Sequence, residues 1–159
     1  MKRSFTILLI TLTLVFSFSC CTKSNRSFTP ESFESFVLVE TPQEKYKGKF
    51  VFKTGDSISL NLTYPEILNG VVITSEKGAK TVQHGGVSIS LGKSSPVYKV
   101  CDILADFSKK QHFVKGEDDV SISGDVDGVL YEIVVDCKNM KIKEIITSDV
   151  RCVFSNESF

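Results

Sequence analysis

Apolar and polar residues alternate with a period of two over most of the chain beyond residue 35. The clearest segment has apolar side chains at four alternate positions, which are Ile58, Leu60, Leu62 and Tyr64. Weaker alternation of the same kind surrounds Val37, Phe50 and Val87. This pattern is typical of antiparallel strands that have one buried face and one face in water.

Short glycine-containing segments separate these strands and predict tight turns. They are Lys47-Gly48, Thr54-Gly55-Asp56, Asn69-Gly70, Lys77-Gly78 and Gly85-Gly86. Asp127-Gly128 lies between two apolar runs, which is a strong signal for a short hairpin. Pro65 has no N–H to donate to a neighbouring strand, so it predicts the end of the strand that contains Ile58.

Residues 96–110 have helical periodicity instead. Ser95 predicts the N-cap, and Pro96 predicts the first helical position. Apolar residues then recur at helical spacing, at Val97, Val100, Cys101, Leu104 and Phe107. A helix with one apolar stripe must cover that stripe, so we expect it to pack on the sheet. The predicted fold class is α+β, an antiparallel sheet of about eight to ten strands with one main helix.

The first 19 residues have the pattern of a signal peptide. Lys2 and Arg3 supply a positive start, and an apolar run of 12 residues follows from Ile7 to Phe18. A membrane-spanning helix needs about 20 apolar residues, whereas the core of a secretory signal needs only about 7–15.

The signal peptide ends in a sequence that resembles a bacterial lipobox, with Ser19 directly before Cys20. Cys20 is therefore the predicted lipidation site, although Ser17 and bulky Phe18 depart from the usual motif. The alternative is a plain secretory signal cut near Ser19. We expect residues 20–34 to form a flexible tether and residues 35–159 a single domain. The protein would then be exported and lipid-anchored to the outer face of the bacterial cytoplasmic membrane by N-terminal acyl chains.

The amino-acid composition excludes some classes of protein function. The chain has 19 basic and 19 acidic residues, and this balance excludes an electrostatically driven nucleic-acid binder. Beyond Cys20 and Cys21 three cysteines remain, an odd number that cannot all pair within the chain. Cys101 is expected to be a buried thiol of the helix. Cys137 and Cys152 could meet only if the chain turned back between them.

No catalytic residue, metal site or cofactor is predicted. Residues 86–90 lack the final glycine of a nucleophile elbow, so a hairpin turn followed by a strand explains them better. A calcium loop with Gly128 as its central glycine would need carboxylates at its two ends, where the sequence has Ser123 and Val134. His84 and His112 are expected at the surface. A hydrolase that uses scattered carboxylates is the weakest alternative.

Several motifs resemble LolA-like domains. They are the strands of residues 48–52 and 58–62, the P-x-x-L-x-G corner at residues 65–70, and the following strand to Ile73. Residues 85–91, the helix start at Ser95-Pro96-Val97 and residues 124–146 resemble lipoproteins of low-GC Gram-positive bacteria. The resemblance covers residues 48–154 and implies a half-open β-barrel, a curved sheet with the helix on its concave face.

The resemblance also implies an apolar groove between the helix and the sheet. The arginine and aromatic positions of the LolA carrier have no counterpart here, so only the groove carries over. Its expected lining comes from two groups of side chains, Ile58, Leu60, Leu62, Ile73, Ile89 and Leu91 on strands and Val100, Leu104 and Phe107 on the helix. An apolar ligand or lipid is the expected partner. The alternative is a scaffold lipoprotein that holds an envelope protein while core side chains fill the groove.

Overall fold

The computed structural model describes residues 25–54, 57–92, 95–115 and 118–159. The predicted signal peptide and the lipidation site at Cys20 lie outside the described residues.

Most of the described chain forms one ten-stranded antiparallel sheet, as the alternating pattern predicts. The strands of this sheet are β2 (Phe33–Glu40), β3 (Lys45–Lys53), β4 (Ser57–Tyr64), β5 (Val72–Glu76), β6 (Ala79–His84), β7 (Val87–Ser90), β9 (Val120–Val126), β10 (Val129–Asp136), β11 (Lys141–Thr147) and β12 (Arg151–Ser155). Two further short strands, β1 (Asn25–Phe28) and β8 (His112–Lys115), form a separate ribbon. A single turn of 3-10 helix (Glu66–Leu68) follows the cis Tyr64–Pro65 bond.

The strand order is β7-β6-β5-β4-β3-β2-β12-β11-β10-β9. The last strand of the chain therefore joins two meanders at the centre, where Cys152 of β12 lies opposite Val39 of β2. Strands β7 and β9 form the two edges of the described sheet, which does not close into a barrel.

Two-residue turns fix the register of three hairpins. Lys77-Gly78, Gly85-Gly86 and Asp127-Gly128 all have positive φ at both positions. These are the dihedrals of type I′ turns, whose twist matches that of the flanking strands. The predicted Asp-Gly hairpin is confirmed, since Val126 pairs with Val129 across it.

The only α-helix in the described ranges, α1 (Pro96–Ser108), begins where the sequence predicts and ends two residues earlier. It carries the chain from the edge strand β7 towards the opposite edge. Its buried side chains all belong to the apolar stripe: Val100, Cys101, Ile103, Leu104 and Phe107. They pack on one face of the sheet, so the α+β class is confirmed. With 13 residues, α1 is too short to cross a bilayer, and no longer apolar helix occurs in the described residues.

The ribbon of β1 and β8 was not expected, because residues 25–34 were predicted to belong to the tether. The first strand in the described residues starts at Asn25, and β2 already starts at Phe33. The segment Asn25–Phe28 contains only one apolar residue and has no period-two pattern. It forms a strand because it pairs with β8 and buries Phe28, whose ring lies 6.0 Å from that of Phe107.

Cysteines 101, 137 and 152 are buried free thiols. The chain does turn back between Cys137 and Cys152, but the strand register keeps them apart. Cys152 lies opposite Ile145, whereas Asp136, the neighbour of Cys137, lies opposite Lys141. Four residues along a strand span about 13 Å. A disulfide needs Cα atoms within about 7 Å, so this fold does not join the two cysteines.

We predict that Cys101 and Cys152 resist alkylation at pH 8 in the folded protein. Burial raises the pKa of Cys101 to about 12, and it also raises the pKa of Cys152. The thiolate is the reactive form, so both residues should react with iodoacetamide only after denaturation. Peptide mass spectrometry reads each cysteine separately. Rapid native labelling of Cys152, or a Cys137–Cys152 linked peptide, would contradict the register.

Candidate functional site

The structure places most of the expected groove lining inside the core. Seven of the nine residues are buried, namely Ile58, Leu60, Leu62, Ile73, Val100, Leu104 and Phe107. Leu91 is half-buried just after β7, and Ile89 of β7 is 61% exposed. The helix and β4 therefore come together as expected, whereas the β7 residue lies outside that contact.

The space between α1 and the sheet is almost filled. A void of only about 10 Å³ remains among side chains of the helix and of β2, β3, β4 and β12. Such a volume holds about one water molecule. Side chains of α1, with Leu104 and Phe107 fully buried, occupy the concave face in this conformation.

Two ion pairs fix the helix across both halves of the sheet. On one side, Lys80 Nζ of β6 lies 2.6 Å from Asp102 Oδ1 and 3.8 Å from the centre of the Tyr98 ring. On the other side, Lys99 Nζ contacts Asp149 of the β11–β12 turn at 2.5 Å. The helix is therefore held at two separated points and not by apolar packing alone.

The Lys80 pair is the more buried of the two, because only 4% of the Lys80 side chain is exposed. Burial by itself lowers the pKa of Lys80, but the Asp102 carboxylate more than offsets this effect and raises the pKa above its ordinary value. The hydrogen bond from Lys99 lowers the pKa of Asp149. Lys80 and Asp149 are thus both charged at neutral pH.

A much larger space lies beyond the end of the helix–sheet contact. It is a cleft of about 590 Å³ at the end of the sheet where β2 and β11 begin and β10 and β12 end. One wall is the segment 27–35, which leaves β1 and enters β2. The opposite wall is the β10–β11 turn with residues 141–143, and residues 154–156 lie between the walls.

The apolar lining of this cleft continues the core outward. It consists of Phe28, Pro30, Phe33, Met140, Ile142 and Phe154. Phe33 contacts Phe154 at 5.8 Å and the core ring of Phe52 at 5.6 Å between centroids. Because core side chains such as Phe52 pack against this aromatic cluster, the apolar floor of the cleft exists before any ligand binds.

The rim of the cleft is polar and carries both signs of charge. Glu34 pairs with Lys49 at 2.8 Å, and this contact lowers the pKa of Glu34. Backbone N–H groups of Lys138 and Asn139 donate to Asp136 and lower its pKa. The rim therefore stays charged at neutral pH around an apolar floor.

Phe154 separates the cleft from the interior void. Its side chain lines both spaces and contacts Phe50 at 5.2 Å between ring centres. It is half-buried, unlike the fully enclosed rings of Phe52 and Phe107. A single side chain thus lies between the cleft and the void beneath α1.

Sequence reasoning missed the cleft because its walls come from both ends of the chain. Residues 27–34 were read as tether, and no site was expected at residues 136–143. The available signal was the density of aromatic residues at Phe28, Phe33 and Phe36, which is high for a tether.

The described residues contain no group of three or more His, Cys, Asp or Glu side chains placed to hold a metal ion. His84, the last residue of β6, is exposed, as expected. His112 differs from the expectation, because its ring stacks on Phe107 at 3.8 Å and Nε2 lies 2.9 Å from the Phe107 carbonyl oxygen. Asp119, which directly precedes β9, pairs with Lys143 at 2.7 Å.

Comparison with solved structures finds similarity to a LolA superfamily protein from Nitrosomonas europaea. The two are 12% identical with a TM-score of 0.44, and the match covers 83% of this chain and 87% of that chain. No protein-family model matches the chain. No curated protein matches it either. Membership of the LolA family therefore stays a prediction.

We predict that Asp102→Asn destabilises the domain by about 2–3 kcal/mol, because it leaves the buried Lys80 ammonium without its counter-charge. The matched control is Asp119→Asn, which breaks the solvent-exposed pair with Lys143 and should leave the unfolding midpoint almost unchanged. Urea unfolding followed by circular dichroism measures both. Equal losses in the two variants would show that the Lys80 pair does not fix the helix.

Proposed function

We propose that this protein is an exported, lipid-anchored, non-catalytic binding protein that holds an apolar ligand or lipid in the cleft at the β2–β12–β11 end of the sheet. The observation that carries the proposal is the cleft itself, about 590 Å³ with an apolar floor and a charged rim. Ligand pockets in proteins typically enclose about 300–1,000 Å³, and they combine an apolar lining with a small number of polar groups.

The lining favours a ligand with an apolar body and a polar end. Phe33, Phe154 and Ile142 supply the floor. Lys141 and Lys143 at the rim are suited to an anionic headgroup, and Glu31 and Glu34 to a cationic or hydroxylated one. An acyl chain with a polar headgroup meets both requirements.

The proposal moves the ligand away from the groove expected between helix and sheet. That space retains about 10 Å³, so a ligand there would have to displace α1 and break its ion pairs. The cleft needs no such movement. Phe154 lies between the two spaces, so a long chain could extend inward only after that ring turned aside.

The anchoring part of the proposal rests on sequence. Residues 1–19 and the lipobox-like Ser19-Cys20 support export to the outer face of the bacterial cytoplasmic membrane. Acyl chains on Cys20 would keep the domain at the membrane surface, where apolar ligands are concentrated.

A scaffold function is the second candidate, and edge strand β7 supports it. Val87 and Ile89 are 65% and 61% exposed there, on a strand with one unpaired edge in the described sheet. Such an edge can accept a strand from an envelope partner. The two functions use different residues and can be separated by mutation.

The test is native mass spectrometry of the full chain, purified from bacterial membranes and released from detergent micelles. We expect a non-covalent mass in the lipid range that organic solvent removes. Met140→Glu places a charge in the apolar lining and should raise the dissociation constant roughly tenfold to hundredfold, from the loss of about 1.5–3 kcal/mol of apolar contact.

Val87→Glu is the matched control, since it adds the same charge to an exposed apolar site on β7 and should retain the ligand. Thermal unfolding of both variants separates lost binding from lost stability. An apo mass for the unmutated protein would exclude the ligand-binding function. Equal loss in both variants would show that the ligand does not occupy the cleft.

A further inference from the structure

The length of chain between the proposed anchor and the fold limits how the domain can sit on a membrane. Asn25 is the first residue of β1 and lies five residues after Cys20. Five residues span at most about 18 Å in any conformation. This step rests on the proposed lipidation of Cys20, and it requires β1 to lie close to the bilayer surface.

The ribbon of β1 and β8 has two different faces. Phe28, His112 and Val114 share the inner face, where Phe28 and His112 contact Phe107. Ser27 and Phe113 lie opposite each other on the outer face. Phe113 is 68% exposed although it is a large aromatic side chain.

One hydrogen bond joins the two sides of the ribbon, and a second holds the ribbon on the body of the domain. Gln111 Nε2 donates to Ser27 Oγ at 2.6 Å, next to Phe113 in the register. Arg26 Nη1 donates to the carbonyl oxygen of Cys137 at 3.4 Å, which connects β1 to the β10–β11 turn. A surface that binds the outer face of the ribbon is therefore held in a fixed orientation relative to the whole domain.

We propose that the outer face of the β1–β8 ribbon is a membrane-contact surface, with Phe113 inserted at the lipid–water interface. The occupant is a bilayer surface because the tether is too short to let the ribbon leave it. Aromatic side chains are favoured at that depth, and exposed Lys115 at the end of β8 suits lipid headgroups.

This contact gives the cleft a source of ligand. Ser27 and Phe28 belong both to the ribbon and to the wall of the cleft. When Phe113 contacts the bilayer, the wall of the cleft therefore lies within a few residues of the membrane surface. The apolar ligand of the proposed function is then a lipid taken from the membrane to which the protein is anchored.

The exposed apolar residue Ile89 belongs to a different sheet from the ribbon. Ile89 belongs to β7, five strands away from β2 in the sheet order. Five strand spacings amount to about 24 Å. Ile89 is therefore a control position with similar exposure and no expected membrane contact.

The experiment uses the absence of tryptophan from the chain. Phe113→Trp and Ile89→Trp each introduce one fluorophore at an exposed site. The full-length variants, purified from bacterial membranes, are reconstituted in vesicles of phosphatidylcholine and phosphatidylglycerol, with and without brominated acyl chains. We expect a blue-shifted emission and several-fold stronger bromine quenching for Phe113→Trp than for Ile89→Trp.

Vesicle flotation separates the possible failures. If neither variant floats with the vesicles, both the lipid anchor and the membrane contact are wrong. If both float and the Phe113→Trp variant emits as in water, or the Ile89→Trp variant is quenched equally, the contact surface is wrong while the anchor stands. Native mass spectrometry of the same two variants reports on the cleft independently, since neither position lines it.

Discussion

The rest of the structure depends on the packing of α1 against the concave face of the sheet. An open antiparallel sheet leaves one apolar face to be covered, and here a single 13-residue helix does so. Leu104 and Phe107 are completely buried in that contact. Lys80–Asp102 and Lys99–Asp149 then fix the helix to both halves of the sheet.

This packing determines where a ligand can bind. Because the helix fills the centre of the concave face, little space remains beneath it. The helix ends at Ser108, and the β1–β8 ribbon covers the adjoining surface with Phe28 and His112 on Phe107. The segment from β1 to β2 then passes the far end of the sheet, and the cleft forms between this segment and the β10–β11 turn. The site is thus a consequence of a short helix and a long curved sheet.

The strands and the helix could be predicted from the sequence because each depends on local patterns. Alternation predicted β4, Pro96 predicted the start of α1, and Asp127-Gly128 predicted a hairpin. The ribbon and the cleft could not be predicted, since both depend on contacts between residues far apart in sequence. Asn25–Phe28 is a strand only because β8 pairs with it. Residue periodicity also cannot reveal whether buried residues such as Leu60 and Leu104 line a groove or fill it.

The central claim is that an apolar ligand binds in the cleft and not under the helix. The most direct measurement is photo-crosslinking of the full-length protein with a fatty acid that carries a diazirine on its acyl chain, mapped by peptide mass spectrometry. A ligand in the cleft would give crosslinks within residues 27–35, 139–143 and 154–156. Crosslinks concentrated on the buried face of α1, at Val100 and Leu104, would contradict it and would mean that the helix lifts from the sheet to admit the ligand.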